Sequence, residues 1–203
     1  ISTDGSPSGS NTRINIRGIG TLNNTDPLYV IDGVPTKGGM HELNPNDIES
    51  IQVLKDASSA SIYGSRASNG VIIITTKQGK SGKMRLNVNY YTTFSDYAKK
   101  LVPEYLDQDQ TIKSANTDWY DAISQIGQAN SLDLSVSNGS EKGNYLFSLG
   151  YYDNDGIVKT TEFKRLSARM NSSYNLFNDH FTIGENFTIN QTNEVTDPGV
   201  LDP

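Results

Sequence analysis

From Met84 to Ile189 apolar and polar residues alternate with a period of two, in five successive runs. A strand turns successive side chains to opposite faces, so each run specifies a sheet with one apolar and one polar face. In the first run Met84, Leu86, Val88, Tyr90 and Phe94 oppose Arg85, Asn87, Asn89, Tyr91, Thr93 and Ser95. Leu132, Leu134 and Val136 then oppose Asp133, Ser135 and Ser137; Tyr145, Phe147, Leu149 and Tyr151 oppose Asn144, Ser148 and Gly150. Leu166, Ala168, Met170 and Tyr174 oppose Arg165, Ser167, Arg169 and Asn171. Last, Phe181, Ile183, Phe187 and Ile189 oppose Thr182, Asn186 and Asn190. Several runs reach the ~9–11 residues of a tilted membrane strand.

The connections alternate too. Ser137–Asn144 and Asn175–His180 are short, Asp153–Glu162 is intermediate and Tyr97–Gln128 is long. Short turns on one side and longer loops on the other are the habit of outer-membrane barrels. Within the long loop one helical piece should open at Pro103. A second is capped by Asn116 or Thr117 and brings Trp119, Ile123 and Ile126 to one face. A soluble β-sandwich alternates in the same way and stands as the alternative. Aromatic residues near strand ends (Tyr90, Tyr91, Phe94, Tyr97; Tyr151, Tyr152) favour the barrel, whereas the parity of Glu185 sets a carboxylate on the apolar face.

Mean hydropathy is −0.52 over 203 residues. A membrane barrel averages to polar in this way, so the value does not decide between the two. No apolar run approaches the ~20 residues of a membrane helix. The chain has no cysteine, which excludes a disulfide scaffold and thiolate metal sites. Its net charge of −6 and scattered basic residues give no support to nucleic-acid binding. It starts at Ile1 without Met and stops in a turn-like Leu201-Asp202-Pro203, so both ends read as cut, and missing targeting signals carry no information.

Residues 1–78 follow another grammar, that of a small α+β unit. Small polar residues fill 1–11; strands are expected over Thr12–Arg17, Leu28–Asp32, Ile48–Leu54 and Gly70–Thr76. Ile48–Leu54 carries apolar residues on both faces, which suggests cover on both sides. Asp56 should cap a short helix from Ala57 to about Tyr63, stopped by Gly64, and Gly79–Gly82 reads as a linker. Asp32-Gly33 is a tight turn with Gly33 at positive φ, preferred over any ligand role.

No enzyme site emerges. Gly18-Ile19-Gly20 has Asn23 where a dinucleotide loop needs its third glycine, and Gly5-Ser6-Pro7-Ser8-Gly9 has Pro where a nucleophile elbow needs Ser. Asp153-Asn154-Asp155-Gly156 has Tyr151 where a calcium loop needs its leading ligand, so a hairpin loop accounts for it better. His41 and His180 lie far apart without metal-type spacing. Neither a metal nor a cofactor is expected.

A set of motifs gives a sharper signal. Ile16-Arg17-Gly18, Pro27-Leu28-Tyr29-Val30-Ile31-Asp32-Gly33-Val34-Pro35, Leu43-Asn44-Pro45-Asn46-Asp47-Ile48-Glu49-Ser50-Ile51 and Val53-Leu54-Lys55-Asp56-Ala57-Ser58 follow one another. Ile62-Tyr63-Gly64-Ser65-Arg66-Ala67 and Asn69-Gly70-Val71-Ile72-Ile73-Ile74-Thr75-Thr76-Lys77 complete the series. In order and spacing they resemble the plug of SusC/RagA-type TonB-dependent outer-membrane transporters. Asn116-Thr117-Asp118-Trp119, Leu134-Ser135-Val136-Ser137 and Ser148-Leu149-Gly150-Tyr151 are similar to that family's early barrel. The resemblance runs from about residue 12 to 192.

It implies an α+β plug followed by the first antiparallel strands of a large transmembrane β-barrel of about 22 strands. Residues 1–78 would be the plug, without its N-terminal part, and 79–203 the first five or so strands. The expected activity is TonB-dependent import of a glycan, oligosaccharide or peptide across the outer membrane of a Gram-negative bacterium of the Bacteroidota. The expected partners are the TonB complex (through a more N-terminal region), a SusD-like surface lipoprotein, outer-membrane lipid and the glycan or peptide itself. A metal-chelate receptor of the same wider family is the nearer alternative. By resemblance, Arg17 and Arg66 are candidates for plug contacts with acidic groups of the barrel wall, against ordinary solvated arginines. Trp119 and Tyr120 are candidates for substrate or lid contact in an outer loop. For Trp119, packing on Ile123 and Ile126 is the plainer account.

Overall fold

The β-branched run at 71–76 forms the centre of the first of two sheets. The computed structural model describes residues 26–36, 43–55, 61–97, 119–178 and 180–196, with Pro7, Ile14, Ile16 and Met40; the side chains of Ser61, Trp119 and Tyr120 lie outside this set. Strands β1 (Leu28–Ile31), β2 (Val34–Thr36), β3 (Ile48–Leu54) and β4 (Val71–Thr76) assemble in the order β2-β1-β4-β3. β1 runs parallel to β4, while β2 and β3 close the two sides antiparallel.

Alternation along β4 supplies two cores. Val71 packs with Val30 and Ala67 on one face, and Ile72 and Ile74 pack with Leu43 on the other. Cover on both faces fits parallel pairing, which leaves no side for water. β3 departs from expectation. It has the predicted bounds but lies at the sheet edge, and Ile51 and Val53 are exposed instead of covered.

Two further expectations change. Where a helix was expected to reach Tyr63, Ser61–Ala67 forms 3-10 turns broken at Gly64, and residues 56–60 lie outside the described set. Of the expected strand over 12–17 only Ile14 and Ile16 are described; neither is in a strand, and both pack against the Leu43 core.

The second sheet is a plain meander, β5 (Gly82–Ser95), β6 (Gly127–Ser140), β7 (Gly143–Asp155), β8 (Glu162–Leu176) and β9 (Phe181–Val195), each antiparallel to its neighbour. All five alternating runs are strands, and each of them extends further than its apolar pattern. Glu141 and Lys142 alone join β6 to β7, and Asp153 to Asp155 end β7 rather than forming a loop. In the long connection residues 119–126 are described and begin with the short helix α1 (Trp119–Ile123); Ile123 and Ile126 are exposed, so they form no packed helix face. The piece expected at Pro103 lies outside the described residues. No helix among the described residues is long and apolar enough to cross a membrane.

Pairing carries apolar residues across the sheet in rows, such as Leu86–Val136–Phe147–Met170–Phe187 and Val88–Leu134–Leu149–Ala168–Ile189. The apolar stretch spans Met84 to Phe94 on β5 and Phe181 to Ile189 on β9. Its centre therefore moves from Asn89 to Glu185, which the ladders place level with Ser172, Tyr145 and Asn138, opposite the irregularity that follows Gly82. That is a drop of about five residues, or ~16 Å, over four interstrand steps of ~4.8 Å. A band of constant height crosses strands at this slope when they lean by about 40°, within the ~35–45° tilt of membrane barrels.

Candidate functional site

The second sheet turns its polar face onto the first, and side-chain hydrogen bonds join the two across that contact. Ser131, Asp133, Ser148, Ser167, Arg169 and Asn171 of β6 to β8 are buried there, while Leu134, Leu149 and Leu166 on the opposite face stay exposed. Buried polar groups are tolerated when hydrogen-bonded, and two clusters show how that is done.

The first centres on Asp32. Asp32 and Gly33 join β1 to β2 with φ of 48° and 85°, the doubly left-handed geometry of a type I′ hairpin turn. The expected turn is there. It also aims a carboxylate at the wall. Arg169 Nη2 of β8 donates to Asp32 Oδ2 at 2.6 Å, to Thr76 Oγ1 and to Asn186 Oδ1 of β9. The Thr76 amide and hydroxyl donate to Asp32 at 2.8 and 2.6 Å, and Asn186 Nδ2 donates to Oδ2. Asn171, two residues along β8, holds the carbonyl of Lys77 at 2.7 Å.

Arg169 is 2% exposed and Asp32 15%, so the ion pair is shielded from water. Burial opposes ionisation of Asp32, but the Thr76 hydroxyl and amide, Asn186 and Arg169 outweigh it and hold the carboxyl below its ordinary value.

The second cluster centres on Asp133 of β6. Asn44 caps the 3-10 turn Pro45–Asp47 by accepting from the Asn46 amide, and its Nδ2 donates to Asp133 Oδ1. Asn46 Nδ2 and Ser131 Oγ donate to Asp133 Oδ2. Gly150 of β7 lies across from Asp133, and any side chain there would overlap the Asn44 amide. Asp47, in the same turn, differs from Asp32. Burial pushes its pKa up, the Ser148 hydroxyl and Arg169 pull it back, and Asp133 adds repulsion.

Arg66 is exposed in the 3-10 segment, and Arg17 lies outside the described residues. Trp119 and Tyr120 open α1, but their side chains fall outside the described set. Sequence reasoning missed Asp32, Asn44, Asp47, Asp133 and Arg169. The one available signal was parity: Asp133, Arg165 and Arg169 are charges on strand faces that otherwise carry mostly small polar residues. No group of metal-binding side chains occurs among the described residues. His180 is turned onto its own loop, with Nδ1 at 2.8 Å from the Phe177 carbonyl.

A small mixed sheet fastened by hydrogen bonds to the polar face of a tilted, outwardly apolar sheet is the layout of a plugged barrel. The family model of the TonB-dependent receptor plug domain matches residues 1–71. TonB-dependent receptor SusC of Bacteroides thetaiotaomicron is 42% identical over 226 residues, covering 98% of this chain and 22% of that protein. The chain belongs to the TonB-dependent receptor family. Receptor P39 of Formosa agariphila is 35% identical over 211 residues, again across 93% of this chain and 20% of the relative. The chain thus spans about a fifth of the length of these TonB-dependent receptors.

Among solved structures, the RagAB peptide transporter superposes with a TM-score of 0.75 at 27% identity, over 85% of this chain and 25% of that one. The siderophore receptor PirA of Acinetobacter baumannii shares the fold, with a TM-score of 0.67 at 20% identity over 96% of this chain and 28% of that one. Similarity to SusC and RagAB places the chain with the SusC/RagA type of TonB-dependent receptor, a family of outer-membrane proteins.

Proposed function

We propose that residues 1–78 are the plug and residues 79–203 the first five strands of an importer that draws a neutral, hydrogen-bonding nutrient through the outer membrane. The nutrient class is a glycan, oligosaccharide or peptide. TonB would act through a more N-terminal region and a SusD-like lipoprotein would cover the outer mouth, in a bacterium of the Bacteroidota. The reading involves transport and no chemical conversion of the cargo.

The observation that carries this reading is the polar seam between the two sheets, above all the Asp32–Arg169 pair. A stopper must seal a pore and still yield. Contacts made of hydrogen bonds can be exchanged for water when the stopper moves, whereas an apolar contact would expose a surface that aggregates. The cargo class is supported by the lumen-facing side of β9, where Thr182, Asn186, Thr188, Asn190 and Thr192 present hydroxyls and amides. An anionic metal chelate would favour a field of unpaired cations, so the metal-chelate alternative, which shares the fold, is the weaker reading.

The test is uptake by the full-length receptor in cells lacking other copies. Labelled neutral oligosaccharide or peptide should enter only with an intact energy supply. Arg169→Ala should raise passive entry of large antibiotics several-fold. Uptake confined to a ferric chelate would hand the case to the alternative; unchanged permeability in Arg169→Ala would remove the sealing role of the seam.

A further inference from the structure

The outward face of the wall is apolar except along one row. Across β6 to β9 the ladders align Asn138, Tyr145, Ser172 and Glu185 on that face. The next outward row, Val136–Phe147–Met170–Phe187, is apolar throughout. With strands leaning by about 40°, each step of ~4.8 Å between strands changes height by ~3 Å. The polar row therefore climbs by ~9 Å from Asn138 to Glu185. Asn138 lies two residues from the end of β6, at the rim, where water and headgroups can serve a polar group. Glu185 lies at the middle of the apolar run of β9, between Ile183 and Phe187.

Donors are scarce at that depth. Among the described residues the polar partner of Glu185 is the Ser172 hydroxyl, which donates at 3.0 Å. A carboxylate has two oxygens and roughly four sites that accept hydrogen bonds. Lipid tails supply no donor, and a charged group left among them is costly. A donor can come from the free flank of β9. That strand ends the described sheet, yet only a closed ring of strands satisfies the backbone in a bilayer. The chain covers 22% of SusC, so a full-length receptor has further chain to lie along this edge.

We propose that Glu185 is a register pin for the next wall strand. An arginine or lysine of that strand, beyond residue 203, faces outward directly across from Glu185 and completes a Ser172–Glu185–cation clamp on the lipid side. The inference rests on reading residues 79–203 as barrel strands. Alternation alone leaves the register open. A slip of one residue turns the apolar face of a strand inward and is excluded, but a slip of two keeps every face correct. The slip of two would separate carboxylate and cation by about 7 Å along the strands and leave both against hydrocarbon. An ion pair out of water adds little net stability, yet it can select one register.

The test uses the full-length receptor in lipid vesicles. These 203 residues contain no cysteine. In a background without other cysteines, Glu185→Cys is combined with single cysteines at outward positions of the following strand. The position that forms a disulfide fastest lies across from Glu185, and the parent should hold Arg or Lys there. Glu185→Leu makes the lipid face more apolar, yet should lower the yield of folded barrel about threefold or more, because it strands that cation in hydrocarbon. Replacing the cation by Leu as well should restore the yield. An uncharged or acidic residue at the crossed position overturns the proposal. So does a Glu185→Leu receptor that folds as well as the parent, or a double variant no better than the single one. Disulfides between two receptors in place of one within the chain would make a second copy the occupant, and the pin would again be lost. Leu149→Arg in the same vesicles separates the two levels of failure. If it folds as well as the parent, the outer face does not meet lipid and the reading of a membrane wall fails with the pin. If it is impaired and Glu185→Leu is not, only the pin is lost.

Discussion

The two sheets use the same alternation to opposite ends. In the plug, Val30, Val71, Ile72 and Ile74 are buried, and polar residues occupy turns and edges. In the wall, Ser131, Ser148, Ser167, Arg169 and Asn171 are buried, while Leu86, Leu134, Leu149 and Phe187 face outward. The plug is organised like a water-soluble domain and the wall is inverted. A period of two shows that a sheet has two kinds of face; it does not say which of them meets the protein.

The sharpest way to break this comparison is to remove the charge buried in the wall. Arg169→Ala in the full-length receptor leaves Asp32 partly buried and unpaired, and should cost about 3–5 kcal/mol of plug docking. Denaturant unfolding followed by a plug-specific fluorophore reads the loss. Pairing Arg169→Met with Asp32→Leu should recover most of it; a double variant as unstable as the single one would show that the ion pair is not what matters. In the plug the matching change is Ile74→Ala, expected to cost about 3 kcal/mol by leaving a cavity.

On the outer face, Leu149→Arg should cost about 2–3 kcal/mol in a bilayer, where lipid surrounds the strand. Leu149→Ser should be milder. Folding yield in vesicles compares them, and equal yields would mean that this face does not meet hydrocarbon.

The smallest effects should come from pH. The lowered pKa of Asp32 means its docking contribution is complete above the ordinary carboxylate range and is lost as pH falls through the lowered value. Asp47 has the opposite sign: its raised pKa favours docking at low pH, and that contribution is lost as pH rises through the raised value. Asp47→Asn should therefore tighten docking slightly at neutral pH, and Asp32→Asn should remove the loss in acid. A plug-release curve against pH for each variant would separate the two carboxylates.

Sequence periodicity located all five wall strands because each has one face in a uniform environment. It underestimated their length, since residues such as Asp153 and Asn138 continue the backbone ladder beyond the apolar band. The edge position of β3 escaped it: Ile51 and Val53 look like core residues, and only the sheet order shows otherwise. The site was half legible. The Asp32-Gly33 turn follows from local backbone preference, but its partner Arg169 lies 137 residues away, and no local rule connects them. Sequence resemblance directed attention to arginines on the plug, whereas the described ion pair has its acid on the plug and its arginine on the wall. The continuous register of β9 shows that no bulge turns Glu185 away; it stays on the apolar face and accepts a hydrogen bond from Ser172 at 3.0 Å.

Five residues, Lys77 to Ser81, separate the last plug strand from the first wall strand. Fully stretched they reach only ~17 Å, so the plug is on a short leash. With its carboxyl end tied beside β5, it can swing or unravel from the other end, but it cannot be ejected whole and must reseat in the opening it left.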